Sequence, residues 1–292
     1  MKSSATMKKL GLASASLALA LSFHGCKDDD TTQPAVNPVE LKNRSVTPAF
    51  VKNLASGLEA YTLIGSDDVL PESPSFVFGG SADGSGWLKN ADGTFTFILN
   101  QVENGAGASI TMDKKLKPVK GEYIVTADHG KYRLCSATLA TPEEHGFGPL
   151  FISGGESGPE SEILAIDPRG GKNTFHFLEQ LGHWSTENAV PLPKTAFAGK
   201  TVIVIGDDDS QGAGGQVVLY VSNTVGDLEN GKLYVMARTD NKTTETDMQV
   251  GQKVNVEFRE ITNPRTLAPT DFNTKAKDLS AIGFGRTADI GY

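Results

Sequence analysis

The chain has 292 residues, 35 of them acidic and 27 basic, for a formal charge of -8. An acidic chain repels a polyphosphate backbone, which excludes nucleic acid as a partner and favours cations. Its two cysteines, Cys26 and Cys135, are too few for a disulfide framework, so stability must come from a packed core or a bound metal.

Lys2, Lys8 and Lys9 precede an apolar run from Leu10 to Phe23, and Gly25 stands directly before Cys26. A basic start, an apolar stretch too short to span a bilayer and a small residue at the cleavage point make residues 1–25 a lipoprotein signal peptide. Phe23 and His24 replace the small aliphatic pair usual before such a cysteine, but Gly25-Cys26 and the polar stretch after them restore the match. The run Cys26-Lys27-Asp28-Asp29-Asp30 resembles the surface-export signal of lipoproteins in one large group of Gram-negative bacteria. That resemblance implies that acylated Cys26 holds the chain to outer-membrane lipid, with the rest facing the medium. An acyl chain anchors without spanning, and no later segment has the roughly 18 consecutive apolar residues of a membrane helix.

A Thr/Gln/Pro/Asn-containing tether fills 26–45 and a domain occupies 46–292. Phe50 to Tyr61 carries a helical pattern, giving a short helical N-terminal segment, and Ala137 to His145 carries a fainter one. Short β-branched and apolar runs then recur: Ser75 to Phe78, Thr94 to Leu99, Ser109 to Met112, Glu122 to Ala127, Leu150 to Ser153, Glu162 to Ile166 and Thr174 to Leu178. Thr201 to Ile205, Gln216 to Val221, Lys232 to Ala237 and Lys253 to Phe258 continue the series. Turn residues such as Asp92-Gly93, Asn104-Gly105 and Asn230-Gly231 separate several of them, as antiparallel hairpins require. Strands at intervals of about 10 to 15 residues without helices between them predict an all-β propeller, sandwich or barrel.

Three stretches can carry chemistry. The apolar strand Val202 to Ile205 runs into Asp207-Asp208-Asp209, hard oxygen ligands at the rim of a sheet that suit Ca2+, although acids in such a loop can also simply be solvated. In Gly182-His183-Trp184-Ser185-Thr186-Glu187, the carboxylate of Glu187 stands among apolar neighbours and needs a cation or a donor. Phe151-Ile152-Ser153-Gly154-Gly155-Glu156 again leads a strand through glycines to an acid. No Gly-x-Ser-x-Gly pattern surrounds Ser153 or Ser157, so a serine nucleophile is not expected.

Together these stretches resemble the PhoX family of extracytoplasmic alkaline phosphatases, β-propellers with a calcium and iron cluster at one end of the central channel. The likeness runs in order through 97–113, 182–189, 201–238 and 284–290, over roughly 70–290. It implies metal-ligand roles for Glu156, Glu187 and one of Asp207 and Asp208, a phosphate-contacting role for Arg286, and a phosphate ester as substrate. A guanidinium suits a phosphoryl group because it donates two parallel hydrogen bonds.

The departures are specific. Gly154-Gly155-Glu156 stands where the family has an iron-binding Cys and two Glu, and Cys135 is too far upstream to align there. Arg286-Thr287-Ala288 and Asn100-Gln101-Val102 each lack a further family ligand. These changes argue for Ca2+ and against an intact Fe3+ site. Family members also continue beyond the motif at Arg286, which implies an incomplete propeller, an open arc of about four blades. Two readings remain open on this basis: a metal-dependent phosphate-ester hydrolase, and a non-catalytic surface propeller that binds a ligand or a protein.

Overall fold

The computed structural model describes residues 40–209 and 214–292; the expected signal peptide, Cys26 and most of the expected tether lie outside the described residues. Three antiparallel sheets follow one another along the chain. The first contains β1 (Ala82–Lys89), β2 (Phe95–Gln101), β3 (Ala106–Met112) and β4 (Pro118–Val125), paired in that order. After a one-turn helix α1 (Ala127–Gly130), β5 (Leu134–Ala140), β6 (Leu150–Gly155), β7 (Leu164–Ile166) and β8 (Phe175–Phe177) form the second. The third orders β9 (Thr186–Pro191), β10 (Thr201–Asp207), β11 (Val217–Ser222), β12 (Lys232–Arg238) and β13 (Val256–Ile261). Each is an up-and-down meander, and β1 lies beside β5 and β5 beside β9. This is the stacking of propeller blades, with three sheets among the described residues in place of the expected four.

Apolar residues cover both faces of the first two sheets and one face of the third. Ile98, Val125, Leu134, Phe151 and Leu164 fill the space between the first and second sheets. Ile152, Ala189, Ile203, Val218, Tyr220 and Val235 form a larger core that also takes up Trp184 and Phe272 of the helix α2 (Phe272–Asp278). The remaining face of the first sheet, with Ile110 and Met112, is closed by Leu63, Ile64, Leu70, Phe76 and Phe78 from the segment before β1.

Close approach of neighbouring sheets depends on glycine. A Cβ on Gly84 would stand 2.1 Å from the backbone N of Ala137, and one on Gly154 would stand 2.4 Å from the carbonyl oxygen of Thr186. No side chain larger than hydrogen fits at either place, so β1 reaches β5, and β6 reaches β9, only because these positions carry none.

Two helical expectations are corrected. Residues 50–61 contain a bend and a turn but no helix, because Asn53 (φ 57°) and Gly57 (φ 87°) sit in the left-handed region, which a right-handed helix cannot absorb. Ala137 to His145 is not helical either: its first residues belong to β5, where Ala137 pairs with Ser153 and Leu139 with Phe151. Ser75 to Phe78 is not a strand; Phe76 caps the first sheet from a turn.

Candidate metal centre

In successive antiparallel meanders, the starts of β1, β5 and β9 fall at the same end as the finishes of β2, β6 and β10. The register states this directly: Ala82 pairs with Gln101, Leu134 with Gly155 and Thr186 with Asp207. Asp83, Cys135, Glu156, Glu187 and Asp208 therefore converge from three sheets, although 125 positions separate the first from the last. Single ligand atoms of Glu156, Glu187 and Asp208 lie within 4.8 Å of one another, and so do those of Asp83, Cys135 and Glu187. Glu187 is common to both groups.

The all-oxygen group offers the hard donors that suit Ca2+. The other adds a thiol to two carboxylates, a softer set that suits a transition metal. Charge supports the same fit. Burial, then the proximity of Asp83, Glu156, Asp289 and Asp208, pushes Glu187 up to about 7. Asp83 is raised by burial and by Asp289. Five carboxylates so placed favour a shared cation. The thiol of Cys135 is buried and donates to Glu156 Oε2 at 3.0 Å; burial first, and that carboxylate second, hold it protonated far above the ordinary thiol range. A metal bound there would have to displace that proton.

Arg286 crosses the mouth of the cluster. Its Nε donates to Asp208 Oδ1 at 2.7 Å, its Nη2 donates to Asp208 Oδ2, and Glu156 lies 3.6 Å away. The side chain is 64% exposed, so guanidinium hydrogens not used by Asp208 remain open to an anion from solvent. Arg133 Nη2 approaches Glu156 from the other side at 3.7 Å.

Of the residues singled out in the sequence, Glu156, Glu187, Asp208 and Arg286 are thus brought together. Asp207 is not. Neighbours along a strand face opposite ways, and the carboxylate of Asp207 instead accepts the Ser185 N–H at 3.0 Å, fully buried. Burial and the charge of Asp209 push it up to about 8.

Cys135 corrects the sequence expectation: too far upstream to align with the family's cysteine, it still reaches the cluster, because the β5–β6 hairpin sets Leu134 opposite Gly155 and so places Cys135 beside Glu156. Asp83 and Asp289 were not anticipated. Asp83 sits in Ser-Ala-Asp-Gly-Ser-Gly, which reads as a loop, and Asp289 restores a carboxylate three positions after Arg286.

No protein-family model matches this chain, and no curated protein does. Among solved structures, its fold is similar to that of PhoX from Pseudomonas fluorescens, determined in complex with vanadate, a transition state analogue. The two share 13% sequence identity with a TM-score of 0.52; the match covers 72% of this chain and 56% of the other. The chain therefore has the PhoX-like β-propeller fold over most of its length and spans little more than half of the structure that it matches.

Proposed function

We propose that this chain is a metal-dependent phosphate-ester hydrolase held at the outer-membrane surface by acylated Cys26. The observation that carries the reading is the sharing of Glu187 by two ligand groups beneath an exposed arginine. Glu156, Glu187 and Asp208 would hold calcium, while Asp83 and Cys135 complete a second position with Glu187. Bound cations supply charge neutralisation for the phosphoryl oxygens and acidify a nucleophilic oxygen. Arg286 contributes orientation: pinned by Asp208, it directs its remaining hydrogens toward a phosphoryl oxygen. Glu156 steadies Arg286 and Arg133 together, placing two cationic side chains at the rim.

The purified mature chain is expected to hydrolyse p-nitrophenyl phosphate with calcium and iron supplied, and chelator is expected to abolish turnover. Metal-loaded, folded protein without turnover under any of these conditions would overturn the hydrolase reading. The bidentate seat of Arg286 on Asp208 favours a second one, in which the site captures a phosphate group without cleaving it. Vanadate binding without turnover would select that alternative.

The anchor is tested separately. Metabolic labelling with palmitate in a Gram-negative host should mark the wild-type chain and not Cys26→Ala; equal labelling of both would remove the anchor.

A further inference from the structure

Between Leu41 and Leu58 the chain carries Lys42, Arg44 and Lys52 and no acidic residue, in a protein whose net charge is -8; Glu40 and Glu59 flank the segment, and Lys42 pairs with Glu40 at 3.0 Å. The same 18 positions expose six large apolar side chains: Leu41, Val46, Phe50, Val51, Leu54 and Leu58. Phe50 is 81% exposed and Val46 74%. The segment is not loose. Arg44 donates to the carbonyl oxygen of Lys115 at 2.7 Å, the Thr62 N–H donates to Asn43 Oδ1 at 3.0 Å, and the Val46 N–H donates to Asp68 Oδ1 at 2.8 Å. These bonds fix the backbone while the apolar side chains stay outside the core, because Leu63, Ile64, Leu70, Phe76 and Phe78 already cover that face of the first sheet. Phe50 also lines a cleft of about 610 Å³ together with Ile64 and Phe78.

Three cations among six large apolar groups on one exposed segment, still net positive when Glu40 and Glu59 are counted with it, suit an anionic lipid surface: the rings and aliphatic chains enter the acyl boundary and the cations meet the headgroups. Position on the chain selects the same partner. Only about 15 residues separate Cys26 from Leu41, a reach of at most roughly 50 Å when fully extended, so of the described fold this segment is the part joined most directly to the anchor. A tether of that length holds its own attachment point at high effective concentration near the bilayer.

We infer that residues 41–58 are a second membrane contact, a lipid-binding element that seats the domain on an anionic bilayer; the inference rests on the proposed anchoring at Cys26.

The test removes the anchor and keeps the patch. The chain from residue 26 onward, carrying C26S, is mixed with vesicles of phosphatidylethanolamine and phosphatidylglycerol, or of phosphatidylcholine alone, and floated on a density gradient. Co-flotation with the anionic vesicles is expected, weakened by salt, and reduced about tenfold or more in F50S/L54S/L58S. K42Q/K52Q should lose the preference for anionic over neutral vesicles. These side chains are exposed, so the variants should keep the wild-type circular dichroism spectrum. Absence of flotation in the C26S chain would overturn the inference, as would equal flotation of F50S/L54S/L58S. Dimerisation by light scattering that the serine variant abolishes, without vesicle binding, would overturn it in favour of a second copy on this surface. Palmitate labelling reads the anchor by itself, so failure there is distinguishable from failure of the patch.

Discussion

Glu187→Gln should raise the melting temperature of the metal-free chain at pH 8 and at the same time abolish most of its stabilisation by calcium. The two effects have one origin. Glu187 is partly buried among Asp83, Glu156, Asp289 and Asp208, which raise it from the ordinary 4.5 to about 7. A carboxyl group raised on folding binds its proton more tightly in the native state than in the unfolded one. Stability in chelator therefore falls as pH rises from about 4.5 to about 7, and the whole penalty is present above that range. Glutamine removes the charge and the penalty together, so the variant should match the wild type near pH 5 and exceed it near pH 8.

With calcium the order reverses. A ligand present at a hundred times its dissociation constant stabilises by about 2.7 kcal/mol, and a neutral amide at the shared position forfeits most of that. Because the carboxylate must ionise to ligate, wild-type calcium affinity should rise about tenfold between pH 6 and pH 8, and the affinity of the variant should rise less. Thermal melts in chelator and in calcium at both pH values decide the matter. Identical melting of the two proteins in chelator, with identical calcium shifts, would take Glu187 out of the centre.

The strands that were legible in the sequence are those whose work is packing. Val202, Ile203 and Ile205 of β10, Val218 and Tyr220 of β11, and Leu233 and Val235 of β12 are buried apolar residues in β-branched or alternating runs, and hydrophobic period exposes such segments. The strands that were missed are the first of each sheet. ADGSGWLK of β1, LCSATLA of β5 and TENAVP of β9 are rich in small and polar residues. They lie against one another and carry Asp83, Cys135 and Glu187, so the composition that erases the strand signal is the one that builds the centre.

The acids at the ends of β6 and β10 were visible as Glu156 and the Asp207–Asp208 pair. Choosing Asp208 over Asp207 needs the facing of each side chain, and admitting Cys135 needs the β5–β6 register; neither is written in local pattern. The irregular path of 50–61 was hidden for a similar reason, since its apolar spacing is helical while Asn53 and Gly57 adopt backbone angles that no helix contains.

Gly84→Ala should cost about 3 kcal/mol or more, at the upper end of what overpacking produces, and should disable the centre as well. The added methyl would lie 2.1 Å from Ala137 N and 2.5 Å from the carbonyl carbon of Ser136. Both are backbone atoms of β5, and no rotamer change moves them. β1 must withdraw from β5, which carries Asp83 away from Cys135 and splits the ligand group that they share with Glu187.

Gly80→Ala is the control, because a Cβ there meets nothing within 4 Å. Reduced freedom of the unfolded chain makes that change neutral or stabilising by up to about 1 kcal/mol. Urea unfolding should therefore separate the two alanine variants by several kcal/mol. Separation of the strands should also uncover Cys135, which is 4% exposed in the native fold, so alkylation by iodoacetamide should quicken in Gly84→Ala and stay slow in Gly80→Ala. Equal stability of the two variants, with Cys135 equally protected, would mean that β1 and β5 do not meet at Gly84, and the convergence of Asp83 with Cys135 would lose its structural cause.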